Sequence, residues 1–369
     1  MKKGNTSLLI LGLGLFLVLF TAPLQGQNVT TPRPSPAATL VQDIGLAKIT
    51  VNYSRPQVIV NGNDRTGKVW GQLVGYGFNK IAFASKGEIP WRAGANENTT
   101  IQFSEDVKIE EKALKAGTYG LHMAVQEDGK VTLIFSHNTS SWGSFWYDEK
   151  EDALRVDVQS KDHAFTNVLT YEFMEFGQNH ATLALNWEKK SIPFKISIDG
   201  HDLAIASFRD ELRGLKGFSW QGPLSAANYC LQNNVNHEEA LAWASRAVGA
   251  NKNFQTLSVK GGLLLQLGKK DEAMTTADEA AAMANVNQLN GLGYMMLQNK
   301  EAKKAVTFFK QNVEKNPENA NCYDSLGEGY MALGENDKAI ESFKKALSLN
   351  PAPLLKANSL KNLEKLGVK

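Results

Sequence analysis

The densest group of polar side chains beside an aromatic residue lies in the segment from Trp91 to Glu97, which reads WRAGANE. Arg92 and Glu97 could orient a ligand here, and a carboxylate such as Glu97 could serve as a general base. The same residue types also suit a loop in which Gly94 makes a turn while Asn96 and Glu97 satisfy backbone groups. We favour the loop interpretation, because isolated carboxylates are common on protein surfaces, and we keep Arg92, Asn96 and Glu97 as ligand-binding candidates.

Two further candidates, His122 and His137, lie in strand-like segments on either side of the sequence EDGK. The Asp128-Gly129 pair is typical of a tight hairpin turn. In that register His122 pairs with Phe135, and both histidines project from the same face of the hairpin, about 7–8 Å apart at Cα. That face is either the floor of a pocket or a surface packed against neighbouring strands. Two histidines without a third ligand do not define a metal site, and we predict no metal and no cofactor.

The aromatic loop WGSFWYD (142–148) supplies the last candidates, Trp142 and Trp146. Exposed tryptophans stack on sugars or apolar ligands, whereas buried ones close the end of a β-sandwich. The sequence shows no serine nucleophile elbow, phosphate-binding loop, HExxH motif or dinucleotide fingerprint. Catalytic residues therefore stay unassigned.

The segment from residue 38 to residue 200 must position these groups, and it consists of short β-type runs separated by turn residues. Roughly ten such runs, with no helical period between them, predict an antiparallel β-sandwich or barrel. The predicted strands cover 48–53, 100–103, 107–110, 118–125, 131–137, 154–158, 168–176, 181–187 and 192–198.

Beyond Gly200 the sequence becomes helical and repeats itself. We predict one helix over 202–213, a connector over 214–223 and a capping helix over 354–367. Four helix pairs are predicted between them, at about 221–253, 254–285, 286–319 and 320–353. The last pair matches the tetratricopeptide pattern at Tyr323, Leu326, Gly327, Tyr330, Ala339, Phe343, Ala346 and Pro351. Stacked pairs bury a continuous core that one pair could not bury, so the C-terminal part is an all-α tetratricopeptide solenoid.

The concave groove of this solenoid is the predicted partner site. In the last two repeats its lining positions are Asn287, Asn290, Tyr294 and Gln298, followed by Asn321, Asp324, Glu328 and Ala332. Amide side chains can pair with a peptide backbone through donor and acceptor contacts. These positions carry no Lys or Arg that would clamp a C-terminal carboxylate. We predict a protein or peptide partner, the alternative being a groove that only keeps the array soluble.

The N-terminus has the pattern of a secretory signal peptide. Lys2 and Lys3 precede an apolar run from Leu8 to Phe20, which is shorter than the roughly 20 residues that span a bilayer. Pro23 interrupts any extension of that run, so an uncleaved membrane anchor is the minor alternative. We predict export to the periplasm or the medium, with cleavage beside Gly26 and no membrane association afterwards.

The charge balance excludes some partners. The 369 residues include 40 basic and 38 acidic ones, and without Lys2 and Lys3 the two numbers are equal. A near-neutral chain without a basic cluster does not favour nucleic acid. Both cysteines, Cys230 and Cys322, lie in the helical part at different positions of non-adjacent repeats. We expect buried free thiols rather than a disulfide.

The β segment resembles a known family. The motifs SPAATLVQDIG, YSRP, RTGKVWGQLVGYG, PWRAGANENTTIQF, LKAGTYGLHM and WGSFWYDEKEDALRV follow one another between residues 35 and 156. They are similar to domain of unknown function 2911, an exported domain, and the resemblance covers about residues 33–200. The pairing with C-terminal tetratricopeptide repeats also looks like members of that family. The chain differs by a longer link, FNKIAFASKGEIP (78–90), which could reshape the entrance of a site lined by WRAGANE. The family implies no established activity.

These observations predict an exported binding or scaffold protein. The repeats would dock a protein partner, and the β domain would hold an unidentified small molecule or sugar. Two alternatives stay open, a hydrolase-type enzyme around Arg92, Glu97 and His122, and a carbohydrate-binding module with Trp142 and Trp146 as its platform. The predicted organisation is a signal peptide (1–26), a Pro-rich leader (27–37), a β-sandwich domain (38–200), a helix with its connector (201–223) and the repeats with their capping helix (224–369).

Overall fold

A computed structural model describes residues 31–81 and 87–368 of the chain. The predicted signal peptide (1–26) and the first residues of the predicted leader lie outside those ranges. In the described residues, no helix is both long and apolar enough to cross a membrane.

Fourteen strands lie in the described residues of the N-terminal region. They are β1 (Ala37–Ile44), β2 (Ala47–Ser54), β3 (Ile59–Val60), β4 (Asn63–Asp64), β5 (Asn79–Lys80), β6 (Glu88–Ile89), β7 (Thr100–Phe103), β8 (Val107–Ile109), β9 (Lys112–Leu114), β10 (Gly117–Val125), β11 (Lys130–Ser136), β12 (Asp152–Gln159), β13 (Lys161–Met174) and β14 (His180–Ser197). The predicted strands are all present, and 181–187 and 192–198 are joined in β14. β1 is one of the additional strands, and its residues alternate between exposed and more buried at the edge of a sheet.

The strands form two antiparallel sheets. One has the order β1-β2-β7-β10-β11-β12 and the other β13-β14-β8-β9, while β3-β4 and β5-β6 are separate two-stranded hairpins. Apolar residues of both sheets belong to one buried cluster, with Phe103 and Phe135 from the first and Phe194 and Trp187 from the second. Two sheets that share one core make a sandwich, as the alternating strand pattern predicts.

The β10–β11 hairpin departs from the predicted register. His122 pairs with Ile134 instead of Phe135. Gly129 has φ +86°, a left-handed conformation that lengthens the turn by one residue. Because a slip of one residue moves side chains to the other face of a strand, His122 shares a face with Ile134, while His137 packs against Tyr119 on the opposite side. The prediction that both histidines share one face is therefore wrong.

Ten helices follow the β-sandwich. They are α1 (Gly200–Glu211), α2 (Gln221–Asn233), α3 (His237–Ala250), α4 (Phe254–Gln266), α5 (Lys270–Met283), α6 (Val286–Gln298), α7 (Ala302–Lys315), α8 (Ala320–Leu333), α9 (Asn336–Ser348) and α10 (Pro353–Lys365). The pairs α2–α3, α4–α5, α6–α7 and α8–α9 coincide with the four predicted repeats, and α10 is the predicted capping helix.

A contact between glycine and phenylalanine brings the two helices of a repeat close together. A Cβ on Gly327 of α8 would lie 2.6 Å from the ring of Phe343 of α9, and one on Gly293 of α6 would lie 2.2 Å from the ring of Phe309 of α7. Both rings are fully buried. The glycines therefore allow the approach that lets each ring fill the space between helices. Cys230 and Cys322 are buried free thiols, as predicted.

Helix α1 contacts both regions. Its Leu203 packs against the core of the sandwich, and its Ile205 belongs to the buried cluster of the first repeats, with Cys230 and Ala240. The ring nitrogen Nδ1 of His201 also lies 3.0 Å from the hydroxyl of Tyr229 in α2. The helix is thus a packed junction between the two regions.

Candidate functional site

A cavity of about 780 Å³ lies at one end of the sandwich. Its walls come from the loop 90–96, the turn 71–75, the β3–β4 hairpin, Ser144 of the aromatic loop and Trp187 of β14. Pro34 and Ser35, just before β1, also line it. The cavity therefore collects residues that are far apart in the sequence, including Trp187 from the middle of β14.

Three tryptophan rings form the aromatic side of this region. Trp91 stacks on Trp187 with ring centroids 6.0 Å apart, and Trp70 meets both rings edge-on at 5.8 and 5.9 Å. The indole N–H of Trp91 donates to the carbonyl oxygen of Gly94 at 3.1 Å. The indole N–H groups of Trp70 and Trp187 are buried and have no hydrogen-bond partner among the described residues. An unpaired buried donor is costly, and that of Trp187 belongs to a residue that lines the cavity.

The loop after β6 is fixed by backbone contacts. Trp91 exchanges two backbone hydrogen bonds with Met123 of β10, at 2.9 and 2.8 Å. Trp91 therefore pairs with the part of β10 that follows the residues paired with β7. The buried hydroxyl of Tyr171 donates to the carbonyl oxygen of Ala93 at 2.9 Å. Ala93 and Asn96 have φ +50° and +61°, conformations that non-glycine residues seldom adopt and that persist only when the surroundings impose them. The loop is therefore held in one shape before any ligand arrives.

Arg92 is the cationic group that this loop presents to the cavity. Its guanidinium donates to the backbone carbonyl of Asn96 and lies 4.6 Å from the centroid of the Phe145 ring. Gly143 packs beneath it, since a Cβ there would lie 2.1 Å from Cζ. Burial lowers the pKa of Arg92, and no carboxylate of the described residues pairs with it. The side chain is thus immobilised and partly dehydrated without a counter-ion.

Ser144 and His122 form a polar pair behind the cavity wall. The Ser144 hydroxyl lies 2.8 Å from Nδ1 of His122, and the His122 ring meets Tyr147 edge-on at 5.6 Å. Burial, and secondarily the charge of Arg92, lowers the pKa of His122 to about 4. His122 is therefore neutral at physiological pH. No carboxylate of the described part of the chain bonds its ring.

Asn96 and Glu97 bind the segment that precedes β1. The amide of Asn96 donates to the carbonyl oxygen of Ser35 at 3.1 Å, and Glu97 forms an ion pair with Arg33 at 2.5 Å. The Ser54 hydroxyl also approaches Glu97, at 3.5 Å. A hydrogen bond from its own backbone N–H, followed by the contacts with Arg33, lowers the pKa of Glu97. The structure does not bring Glu97 into the cavity beside Arg92.

The other β-domain candidates lie apart from the cavity. His137 is exposed. Trp142 and Trp146 are 52% and 57% exposed, so neither closes the end of the sandwich. Tyr147, between them and β12, is buried and donates to Asp152 at 2.8 Å, which anchors the aromatic loop. The described residues contain no group of three or more His, Cys, Asp or Glu arranged to hold a metal ion.

Two carboxylates predicted to line the groove are engaged by the capping helix. Asp324 is buried and accepts hydrogen bonds from Asn358, at 2.8 Å, and from Ser359. Glu328 accepts from Asn358 at 3.0 Å and from Asn362 at 3.4 Å. Burial raises the pKa of Asp324. These hydrogen bonds hold α10 against α8. Helix α10 follows the last repeat in the place of the first helix of a further repeat.

The remaining groove candidates are placed differently. The Tyr294 hydroxyl contacts Glu328 at 2.9 Å. The Oδ1 atom of Asn290 is buried and has no hydrogen-bond partner in the part of the chain that the structure describes. Four groove positions are exposed, which are Asn287, Gln298, Asn321 and Ala332. Access for a partner is therefore concentrated at those four, of which three carry amide side chains.

Sequence reasoning missed several cavity residues. Ser144 and Trp187 were not candidates, and neither was Arg65, which lines the cavity and donates to the backbone carbonyls of Gln57 and Val58. Trp187 ends the strand-like run ATLALNW, and Ser144 lies within the aromatic loop. Both are typical of core or loop residues, so only the folded structure shows that they line the same cavity as Arg92.

The fold and the cavity together define a two-part protein, an antiparallel β-sandwich with a cavity at one end, joined to a tetratricopeptide solenoid. Residues 35–196 match the family described as Protein of unknown function (DUF2911). Residues 320–353 match the tetratricopeptide repeat. Both matches confirm the resemblance that the sequence motifs indicate.

Solved structures similar to this chain resemble it over about two-fifths of its length. A crystal structure of MamA is 19% identical, with a TM-score of 0.33, and covers 41% of this chain and 89% of that one. MamA 41-end from Desulfovibrio magneticus RS-1 is 22% identical, with a TM-score of 0.29, and covers 42% and 94%. YrrB, described as a TPR protein with an unusual peptide-binding site, is 20% identical, with a TM-score of 0.28, and covers 39% and 83%. Scores this low support no argument about function. No curated protein matches the chain.

Proposed function

We propose that this protein is an exported two-part binding protein, in which the β-sandwich holds a small molecule and the repeats dock a protein or peptide. The observation that carries the proposal is the cavity of about 780 Å³, which combines a tryptophan pair with an immobilised guanidinium. Small-molecule sites are concave, largely preformed and lined by aromatic residues with a few fixed polar groups. The loop from Trp91 to Asn96 meets that description.

The repeats support the second half of the proposal. Tetratricopeptide solenoids are interaction scaffolds that use an extended concave surface. Exposed amide side chains at Asn287, Gln298 and Asn321 can donate to and accept from a peptide backbone.

Filling the cavity tests the small-molecule site. Ala95 lines the cavity, so an Ala95→Phe variant should occupy part of its volume. A fragment library screened by ¹H–¹⁵N NMR should shift the indole signals of Trp91 and Trp187 in the native protein, and these shifts should disappear in Ala95→Phe. Ala113→Phe, at an exposed position of β9, should keep them. If no fragment shifts these signals, or if both variants lose them equally, the site assignment is wrong.

Site-specific crosslinking tests the repeat groove. A photo-reactive residue at Asn321 should crosslink to a partner protein in envelope extracts. The same residue at Lys344, an exposed position on the second helix of that repeat, should not. Equal crosslinking from both positions would contradict docking in the groove.

Export is tested by the N-terminus of the native protein. Mass spectrometry should find the first residue near Gln27, since the apolar run is too short to anchor the chain. An intact Met1 in the membrane fraction would contradict cleavage.

A carbohydrate-binding module is a second candidate, favoured by the exposure of both Trp142 and Trp146 on one loop. Such rings can stack on sugars. If this candidate is right, the double variant Trp142→Ala/Trp146→Ala should lose binding to a glycan array. Ala95→Phe should bind the array as the native protein does. The hydrolase alternative has less support, because Glu97 is tied to Arg33 and a histidine with a pKa of about 4 is a weak general base at neutral pH.

A further inference from the structure

The charged groups around the cavity are unbalanced. Its described lining residues include two arginines, Arg65 and Arg92, but no Asp, no Glu and no Lys. Arg65 is engaged in holding the backbone at Gln57 and Val58. Arg92 therefore supplies the positive charge with the most unused hydrogen-bonding capacity.

The Arg92 guanidinium has more hydrogen-bond donors than the described residues have acceptors for it. A guanidinium has five N–H donors, and in the described residues that of Arg92 donates to one carbonyl oxygen, on Asn96. Gly143 and the Phe145 ring fix its plane. Holding a charged group out of water without a counter-ion is unfavourable. A ligand that carries the opposite charge would relieve that cost.

The indole of Trp187 borders the same cavity. Trp187 is 1% exposed, and among the described residues its buried N–H has no hydrogen-bond partner. The ring of Trp91 stacks beside it. The cavity thus offers a guanidinium with unused donors and flat apolar surface, and its described lining has no negative charge that would repel an anion.

We propose that the cavity binds an organic carboxylate with a planar body, the carboxylate pairing with Arg92 and the body packing against Trp91 and Trp187. This inference rests on the proposed small-molecule site and names its ligand class. A planar guanidinium matches the two oxygens of a carboxylate. A phosphate group more often uses a helix N-terminus or a set of backbone N–H groups, and no helix of the described chain contributes to the lining.

Three probes of similar shape test the charge requirement. Calorimetry and indole NMR should show that phenylacetate binds, and that phenylacetamide, which is neutral, binds at least roughly 10-fold more weakly, as expected for loss of a hydrogen bond to a charged group. Phenyl phosphate should also bind more weakly than phenylacetate. Equal binding of the acid and the amide would overturn the inference, and tighter binding of phenyl phosphate would overturn the carboxylate assignment.

Variants test the contributions of Arg92 and Trp187. Arg92→Gln should weaken phenylacetate binding by roughly 10- to 100-fold, and Arg92→Lys should recover part of the loss, because it restores the charge but not the planar fork. Trp187→Phe, which keeps the ring and removes the N–H, should weaken binding less than Arg92→Gln does. Arg213→Gln, a matched loss of charge on an exposed side chain outside the cavity, should have no effect. If Arg92→Gln has an unchanged circular dichroism spectrum and binds phenylacetate as tightly as the native protein, the carboxylate does not pair with Arg92.

The outcomes separate this inference from the function on which it rests. If neutral fragments occupy the cavity and phenylacetate does not, the small-molecule site stands and its anionic character is wrong. If neither neutral fragments nor phenylacetate bind there, both proposals are wrong.

Discussion

Two charged residues of the WRAGANE segment end up in different environments. Arg92 faces the cavity and pairs with no carboxylate of the described residues, while Glu97 is partly exposed and pairs with Arg33. Composition alone cannot separate them, because the left-handed conformations at Ala93 and Asn96 decide where each side chain points. Arg92 was predictable as a candidate from its neighbours in the sequence. Its unpaired state depends on residues as distant as Gly143 and Phe145.

His122 should make stability depend on acid. Its pKa is lowered to about 4, whereas an unfolded histidine titrates near 6.5. Between those values the unfolded chain takes up a proton that the folded chain does not, so the free energy of unfolding falls as the pH falls from about 6.5 to about 4. The loss from this group is about 3 kcal/mol, and it is complete below pH 4.

Two measurements check this dependence. NMR titration of the His122 ring should give a midpoint near 4, and urea unfolding at several pH values should show a flatter acid decline for His122→Gln than for the native protein. A ring midpoint near 6.5 would show that His122 is accessible to water.

Gly143 should be required for the position of Arg92. Alanine at φ +63° carries a left-handed strain of about 1–2 kcal/mol, and its Cβ would also collide with the guanidinium. Gly143→Ala should therefore lose more stability than Gly67→Ala, where φ is +71° and no atom lies within 4 Å of the added Cβ. Thermal unfolding compares the two variants, and the Arg92 Nε–H signal should move in Gly143→Ala alone. Equal losses would mean that the guanidinium can shift aside.

At the scale of helices and strands, the repeats were the most predictable part of the chain. Their glycine, alanine and aromatic positions recur at fixed spacing, and each position has one packing task. The β10–β11 register was not predictable in the same way, since Asp128-Gly129 suits both a two-residue turn and the longer turn that forms. The capping helix was predicted, but not its contacts with Asp324 and Glu328, which depend on how α10 stacks.

Phe343 should hold the last repeat together. It is fully buried against Gly327 of its partner helix, so Phe343→Ala should cost about 3–5 kcal/mol through lost burial and a cavity. Because each repeat contacts only its neighbours, hydrogen exchange should accelerate in 320–367 while 118–137 keeps its protection. Leu354→Ala, at a residue 86% exposed, is the control and should change stability by less than about 0.5 kcal/mol. Equal loss of protection in both regions would indicate one cooperative unit.

Ser359 should fix α10 to the repeats. Its fully buried hydroxyl donates to Asp324, and Ser359→Ala would leave a buried carboxylate with fewer partners, at a cost of about 1–3 kcal/mol. Amide exchange should quicken within α10 before it does so in α8. Lys361→Ala on the exposed side of the same helix should leave exchange unchanged. Unaltered exchange in Ser359→Ala would assign the anchoring of α10 to its apolar contacts.

For the whole molecule, the change from alternating to helical periodicity predicts a boundary between the β and α regions near residue 200. In the structure, β14 ends at Ser197 and α1 begins at Gly200. The sequence did not show that α1 contacts both cores, because Leu203 and Ile205 are ordinary apolar residues of a short amphipathic helix. Segment types were thus readable from local patterns. The contacts between segments were not, because they depend on residues distant in sequence.

The connector after α1 should be the first site of proteolysis. Leu215 and Phe218 are 87% and 86% exposed, and chymotrypsin favours both residue types. Limited digestion should give a strand-rich fragment and a helical fragment with clearly different circular dichroism spectra. Cleavage should be slow, because the connector packs closely at Gly217 and Gly222 and must open locally before it enters a protease. A C-terminal fragment rich in strand would refute the repeat assignment, and a Phe218→Ser variant should shift cleavage to Leu215.

The wall of the cavity at Pro34 and Ser35 has a consequence for the order in which the chain is made. These residues leave the ribosome early, and Trp187 follows only after nearly all of the sandwich has been synthesised. A chain that crosses a membrane with its N-terminus first would carry an open, incomplete site until β14 arrives. Occupancy of the cavity would then report that the whole β domain has been delivered and folded.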